Sequence, residues 1–111
     1  MKTFKNIAPL TVSNLTDFVV HSGRRISSKA LVDTEQTEVR FFSAAAGEDI
    51  DKEIYTHESL IVCLAGQIKI VYNDADEALL TPGQMIALDA GVPYGMVAVT
   101  DAKYYSILMQ P

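Results

Sequence analysis

From about residue 26 onward the chain is a succession of short segments rich in Val, Ile, Tyr and Phe, each closed by Gly, Pro, Asn or Asp. This pattern restricts the fold more than any other feature. β-Branched and aromatic side chains suit a pleated, half-buried surface, and the turn residues supply the conformations that reverse a chain. Strands are expected over 18–21, 26–32, 39–45, 60–64, 67–72, 78–80, 85–88, 96–99 and 104–109. Between them lie Ala65-Gly66, Asn73-Asp74-Ala75-Asp76, Pro82-Gly83 and Gly91-Val92-Pro93, which carry turn chemistry. So many short strands at even spacing mean an all-β sandwich or barrel. Helix signals are confined to the lead-in, where Pro9 and the stretch from Ser13 to Asp17 suggest a short helical or irregular start.

With 111 residues and 49% hydrophobic composition, the chain is expected to form a single domain over 1–111, burying roughly two-thirds of its unfolded surface. A net charge of −5 repels a phosphate backbone, and the only adjacent basic pair is Arg24-Arg25, so nucleic acid is not an expected partner. No stretch approaches the roughly 18 to 20 apolar residues that span a bilayer, and the N-terminal MKTFKNIAPLTVSNL has no apolar run of signal-peptide length. The single Cys63 has no partner for an internal disulfide and lies in the apolar run SLIVCLAG, as a small buried hydrophobe would. A soluble protein of the reducing cytoplasm, with no membrane partner, is the expectation.

Alternation adds detail. Ile68, Ile70 and Tyr72 share one face of their strand, whereas 60–64 is apolar on both faces. A sandwich strand needs cover on one side only, so Leu60, Val62 and Leu64 are expected to meet a second copy in a homodimer. Cover by the N-terminal segment of the same chain is the alternative.

The glycine register carries a resemblance. Gly47 and Gly66 bracket a stretch that resembles the first cupin motif, G-x5-H-x-H-x3-E-x6-G. Gly83, Gly91 and Pro93 fit the second, G-x5-P-x-G-x2-H-x3-N, again without insertion or deletion. The intervening 67–82 resembles the linking hairpin of small single-domain cupins, and the resemblance covers roughly 39–109, the barrel core, with 1–17 as a lead-in. It implies a double-stranded β-helix, or jelly-roll barrel, whose family holds a divalent metal on inward histidines and a glutamate. Carried across position by position, those ligands fall on Glu53, Tyr55, Ser59 and Tyr94, and all four differ from the family pattern. The motif's proline falls on Asp89 and its asparagine on Ala98.

The replacements change the chemistry. Tyr ionises near pH 10 and a Ser hydroxyl is a weak donor atom, so Tyr55, Ser59 and Tyr94 bind a metal only if it deprotonates or polarises them. No metal or other cofactor is therefore expected. The leading expectation is a metal-free pocket for a small organic molecule, ringed by Glu53, Tyr55, Ser59 and Tyr94 over a floor of Ile61, Cys63, Ile68, Ile70 and Met96. Glu53 in such a pocket would be partly desolvated and fit for general acid or base work.

Two alternatives stand beside it. One is an enzyme of dioxygenase, isomerase or epimerase type. If 53–58 runs as a strand, Glu53 and His57 share a face and form a shifted metal site, with His21 as a distant further ligand. In the metal-free version His57 and Tyr94 act as base and acid, as in cupins that act on nucleotide sugars, although the sugar-binding basic residues are not evident here. The catalytic candidates are thus Glu53, His57 and Tyr94. The other alternative is a dimeric structural or regulatory module whose tyrosines simply fill the barrel.

Overall fold

In the computed structural model, which describes residues 2–21 and 23–111, nine strands build two antiparallel sheets. The first residue of the expected 1–17 lead-in lies outside the described residues. The strands are β1 (Ile26–Asp33), β2 (Thr37–Ala44), β3 (Asp49–Ile54), β4 (Glu58–Ala65) and β5 (Ile68–Tyr72), followed by β6 (Asp76–Leu80), β7 (Met85–Leu88), β8 (Pro93–Ala98) and β9 (Ala102–Met109). One sheet has the order β1-β2-β9-β4-β7 and the other β3-β8-β5-β6. Consecutive strands repeatedly cross from one sheet to the other, which is the all-β jelly-roll arrangement that the cupin resemblance implies, and a form of the sandwich or barrel expected from the strand spacing.

Period-two alternation sorts the side chains. On β4, Ser59, Ile61 and Cys63 are buried inward while Leu60, Val62 and Leu64 are half-buried on the outside. On β5, Ile68 and Ile70 have no exposed surface, and Met96 of β8 packs opposite Ile70. The core between the sheets is completed by Tyr94, Tyr104 and Leu88.

Two expectations about elements are corrected. Residues 18–21 form no strand: they follow a 3-10 turn at Leu15–Asp17, and Phe18 lays its ring 4.8 Å from that of Phe41 while Val19 is buried. Their apolar character serves as a cover on the outer face of β2, not in a ladder. Conversely, β3 was not among the expected strands, because its sequence, Asp-Ile-Asp-Lys-Glu-Ile, is polar and almost wholly exposed. It is an edge strand, where charged side chains are the usual protection against unwanted pairing. Lys52 ties it to the β5–β6 turn through the carbonyls of Asn73 and Asp74, at 2.9 and 3.1 Å.

A backbone device shapes the site. Ile50 pairs with Met96 but Glu53 pairs with Tyr94, so β3 carries an extra residue there, a β-bulge. Opposite it stands Gly95, where a Cβ would sit 2.3 Å from the carbonyl oxygen of Ile50. Only glycine allows this approach, and the bulge sets Glu53 and Tyr55 beside Tyr94.

Candidate functional site

The four positions that the glycine register singles out fall at one end of the space between the sheets, with unequal exposure. Tyr94 retains 8% of its accessible surface and Ser59 4%. The Tyr94 hydroxyl donates to Ser59 Oγ at 2.6 Å, so β8 of one sheet is fastened to β4 of the other. Tyr55 follows the end of β3 and is held by its carbonyl, which accepts from the Gly91 amide at 2.9 Å. This bond joins the two glycine-marked segments, and Gly91 meets it with a φ of +87° that other residues rarely adopt. The rings of Tyr55 and Tyr94 then pack with centroids 4.8 Å apart and planes 30° apart.

Beside these rings opens a cavity of about 100 Å³. Of the expected lining residues, Tyr55, Ile61, Tyr94 and Met96 border it. Ser59 stands behind Tyr94 as its acceptor, and Cys63, Ile68 and Ile70 belong to the sealed core, where burial pushes the Cys63 thiol above its ordinary range. Glu53 is exposed and approaches the Tyr55 hydroxyl from the rim, so the expected desolvation of this carboxylate is not found. The far wall comes from residues that the motif reading missed: Glu38 and Phe42 on β2, and Tyr104, Ser106 and Leu108 on β9. Phe42 and Tyr104 pair across those strands and stack at 4.7 Å with planes 4° apart.

Burial governs the phenols. Tyr55 is pushed up to about 12, chiefly by desolvation and then by Tyr94 and the Glu53 carboxylate. Tyr94 is raised by burial, partly offset by its bond to Ser59, and Tyr104 by its deeper burial with Tyr55 and Tyr94 adding. All three are neutral phenols at neutral pH, able to donate hydrogen bonds but reluctant to become tyrosinate ligands. The Tyr104 hydroxyl, on a side chain 3% exposed, has no hydrogen-bond partner among the described residues.

The expected shifted pair does not assemble. β3 ends at Ile54, so His57 lies beyond the strand in the loop before β4. Its Nε2 lies 3.0 Å from the Glu35 carbonyl and its Nδ1 3.3 Å from Thr56 Oγ1. His21 stands instead against Asp101 in the β8–β9 turn, at 3.9 Å. Among the described residues no group of three or more His, Cys, Asp or Glu side chains could hold a metal ion. The donors at the motif positions are neutral phenols, a hydroxyl committed to one of them and an exposed carboxylate, a set that does not fit a divalent metal.

Neither the family models nor the curated proteins include a match to this sequence. Solved structures do match. A conserved protein of unknown function from Streptococcus pyogenes superposes with a TM-score of 0.94 at 24% identity, over 100% of this chain and 96% of that one. A cupin superfamily protein from Desulfitobacterium hafniense gives 0.90 at 21% identity, over 97% and 98% of the two chains. An RmlC-like cupin protein from Desulfovibrio desulfuricans gives 0.78 at 22%, over 92% and 98%. With two antiparallel sheets wound as in these neighbours, the chain has the cupin fold, a double-stranded β-helix.

Proposed function

We propose that this protein binds a small organic molecule in its barrel interior without the metal on which many cupins rely. The observation that carries this reading is the cavity bounded by Tyr55, Tyr94 and Tyr104, into whose wall an unpartnered buried hydroxyl is built. Buried polar groups without partners are uncommon, because each costs about 1 to 3 kcal/mol. A barrel filled only for packing would have little use for one. A volume of about 100 Å³ falls below the roughly 300 Å³ at which drug-sized sites begin, so the ligand is small and a nucleotide sugar is too large.

The test is a fragment collection screened by ligand-observed NMR, with hits mapped onto the tyrosine ring resonances. Hits that compete for one site and shift Tyr55, Tyr94 and Tyr104 together support the reading. Hits confined to the surface, with these rings unmoved, would show a filled barrel and sink it.

A second reading concerns assembly. Leu60 and Val62 pair with Ile107 and Tyr105 on one side and with Ala87 and Met85 on the other, forming an apolar outer face on which Met85 is 65% exposed. The lead-in segment sets Ile7, Leu15 and Phe18 over Leu31 and Phe41, leaving Leu60, Val62 and Leu64 half-buried. A second copy of the chain is the occupant we infer for this apolar face. The reduced, unpaired Cys63 fits a cytoplasmic setting, and no helix among the described residues is long and apolar enough to cross a membrane.

A further inference from the structure

The cavity has a definite electrostatic character. Its walls carry four aromatic rings in two packed pairs, Phe42 with Tyr104 from the five-stranded sheet and Tyr55 with Tyr94 from the β3–β8 side. Among the described residues, the only charged side chain lining it is Glu38, and no Lys, Arg or His does so. Arg40, two residues along β2, engages Glu38 through Oε1 at 2.9 Å and also donates to Ser28 Oγ at 3.0 Å. A second carboxylate, Glu53, stands at the rim beside Tyr55.

We propose that the ligand is a small organic cation, an alkylammonium whose hydrocarbon body lies between the rings and whose charge faces Glu38. This rests on the pocket reading above and narrows it to a chemical class. Aromatic faces are the negative side of the ring quadrupole, and a cation within about 6 Å of a ring centroid gains roughly 0.5 to 2 kcal/mol per site, most when it is desolvated. A neutral molecule of the same shape gains only the burial. An anion meets Glu38 and Glu53 with no Lys, Arg or His in the cavity lining, which disfavours carboxylates and phosphates as ligands. The Tyr104 hydroxyl supplies a buried polar contact that the pocket interior leaves open, beside that of Ser106, since Tyr94 is already bonded to Ser59 and Tyr55 faces Glu53. It can accept from an ammonium N–H or donate to a hydroxyl elsewhere on the same ligand. The negative field of Glu38 also reaches both Tyr55 and Tyr94, where it opposes ionisation of the phenols.

The experiment titrates the whole protein, observed by tyrosine-ring NMR, with probes matched in shape and different in charge: choline against 3,3-dimethylbutan-1-ol, propylammonium against propan-1-ol, and butyrate as the anion. Each cation is expected to shift the rings of Tyr55 and Tyr104 and to bind about tenfold more tightly than its neutral counterpart. Glu38→Gln, which keeps the side-chain volume, is expected to lower cation affinity about tenfold and leave the alcohols unchanged, whereas Glu77→Gln on β6 alters neither. Arg40→Gln, which removes the competing guanidinium, is expected to strengthen cation binding, and this variant serves should Glu38→Gln not fold. Equal binding of cations and alcohols would overturn the charge inference while leaving the pocket reading intact. Tighter binding of butyrate, or an Arg40→Gln affinity no higher than wild type, would overturn it as well. Rings that no probe moves would overturn both.

Discussion

Replacing Tyr94 with Phe removes one oxygen, and the cost falls on its partner. Ser59 Oγ, 4% exposed, would lose the phenol that donates to it at 2.6 Å, so Tyr94→Phe is expected to destabilise the fold by about 1 to 2 kcal/mol in chemical denaturation. Adding Ser59→Ala should recover part of that loss, because the orphaned acceptor goes with it, and strictly additive losses would show that the bond couples nothing. Tyr55 gives a pH prediction. Its phenol ionises near 10.0 in the unfolded chain and at about 12 when folded, so between those values the folded state holds a proton that the unfolded state has lost. Its contribution is intact below pH 10.0 and is lost as pH rises towards 12. Denaturation midpoints should therefore fall across that window in the wild type, and less steeply in Tyr55→Phe. At this scale the glycine spacing located Tyr55, Ser59 and Tyr94, because turns fix registers. It could not locate Glu38, Phe42 or Tyr104, which reach the cavity only because β2 and β9 are neighbours in the sheet. Alternation along 38–42 and 104–108 was the signal available, but it names a face without saying what the face meets.

At the scale of elements, the β3 bulge and Gly95 form one unit. Gly95→Ala would drive a methyl group into the Ile50 carbonyl, and backbone cannot yield as a flexible side chain can. The expected loss is about 2 to 3 kcal/mol in thermal or chemical unfolding, with the Tyr55 and Tyr94 ring signals displaced. An unchanged midpoint would contradict the close approach. Of the expected strands, 85–88 coincides with β7, and 26–32 and 60–64 fall inside β1 and β4, where apolar residues alternate or run uninterrupted between clear turns. Polar β3 escaped because its pairing with β8, and not its own side-chain burial, makes it a strand. The 18–21 segment misled for the opposite reason: Phe18 and Val19 are apolar because they cover Phe41 and the sheet beneath.

In the whole molecule, the outer face and the barrel interior serve separate ends. The outer face of β9, β4 and β7 concerns assembly: if it meets a second copy, light scattering should report a dimer, and Leu60→Lys should convert it to monomer without unfolding the barrel. A strict monomer in the wild type would end that reading. The interior concerns chemistry, and here the fold and its residues point in different directions. The jelly-roll scaffold superposes closely on a cupin superfamily protein, while the four positions that the resemblance marks for metal ligands hold a carboxylate at the rim, two phenols and a hydroxyl. Fold likeness therefore does not transfer an activity, and the donor chemistry decides. The most direct measurement is elemental analysis of protein purified without an affinity tag, then equilibrated with manganese, iron, nickel and zinc salts and desalted. Metal far below one ion per chain, unchanged in Tyr94→Phe, is the expected result; near-stoichiometric metal that Tyr94→Phe abolishes would contradict the account.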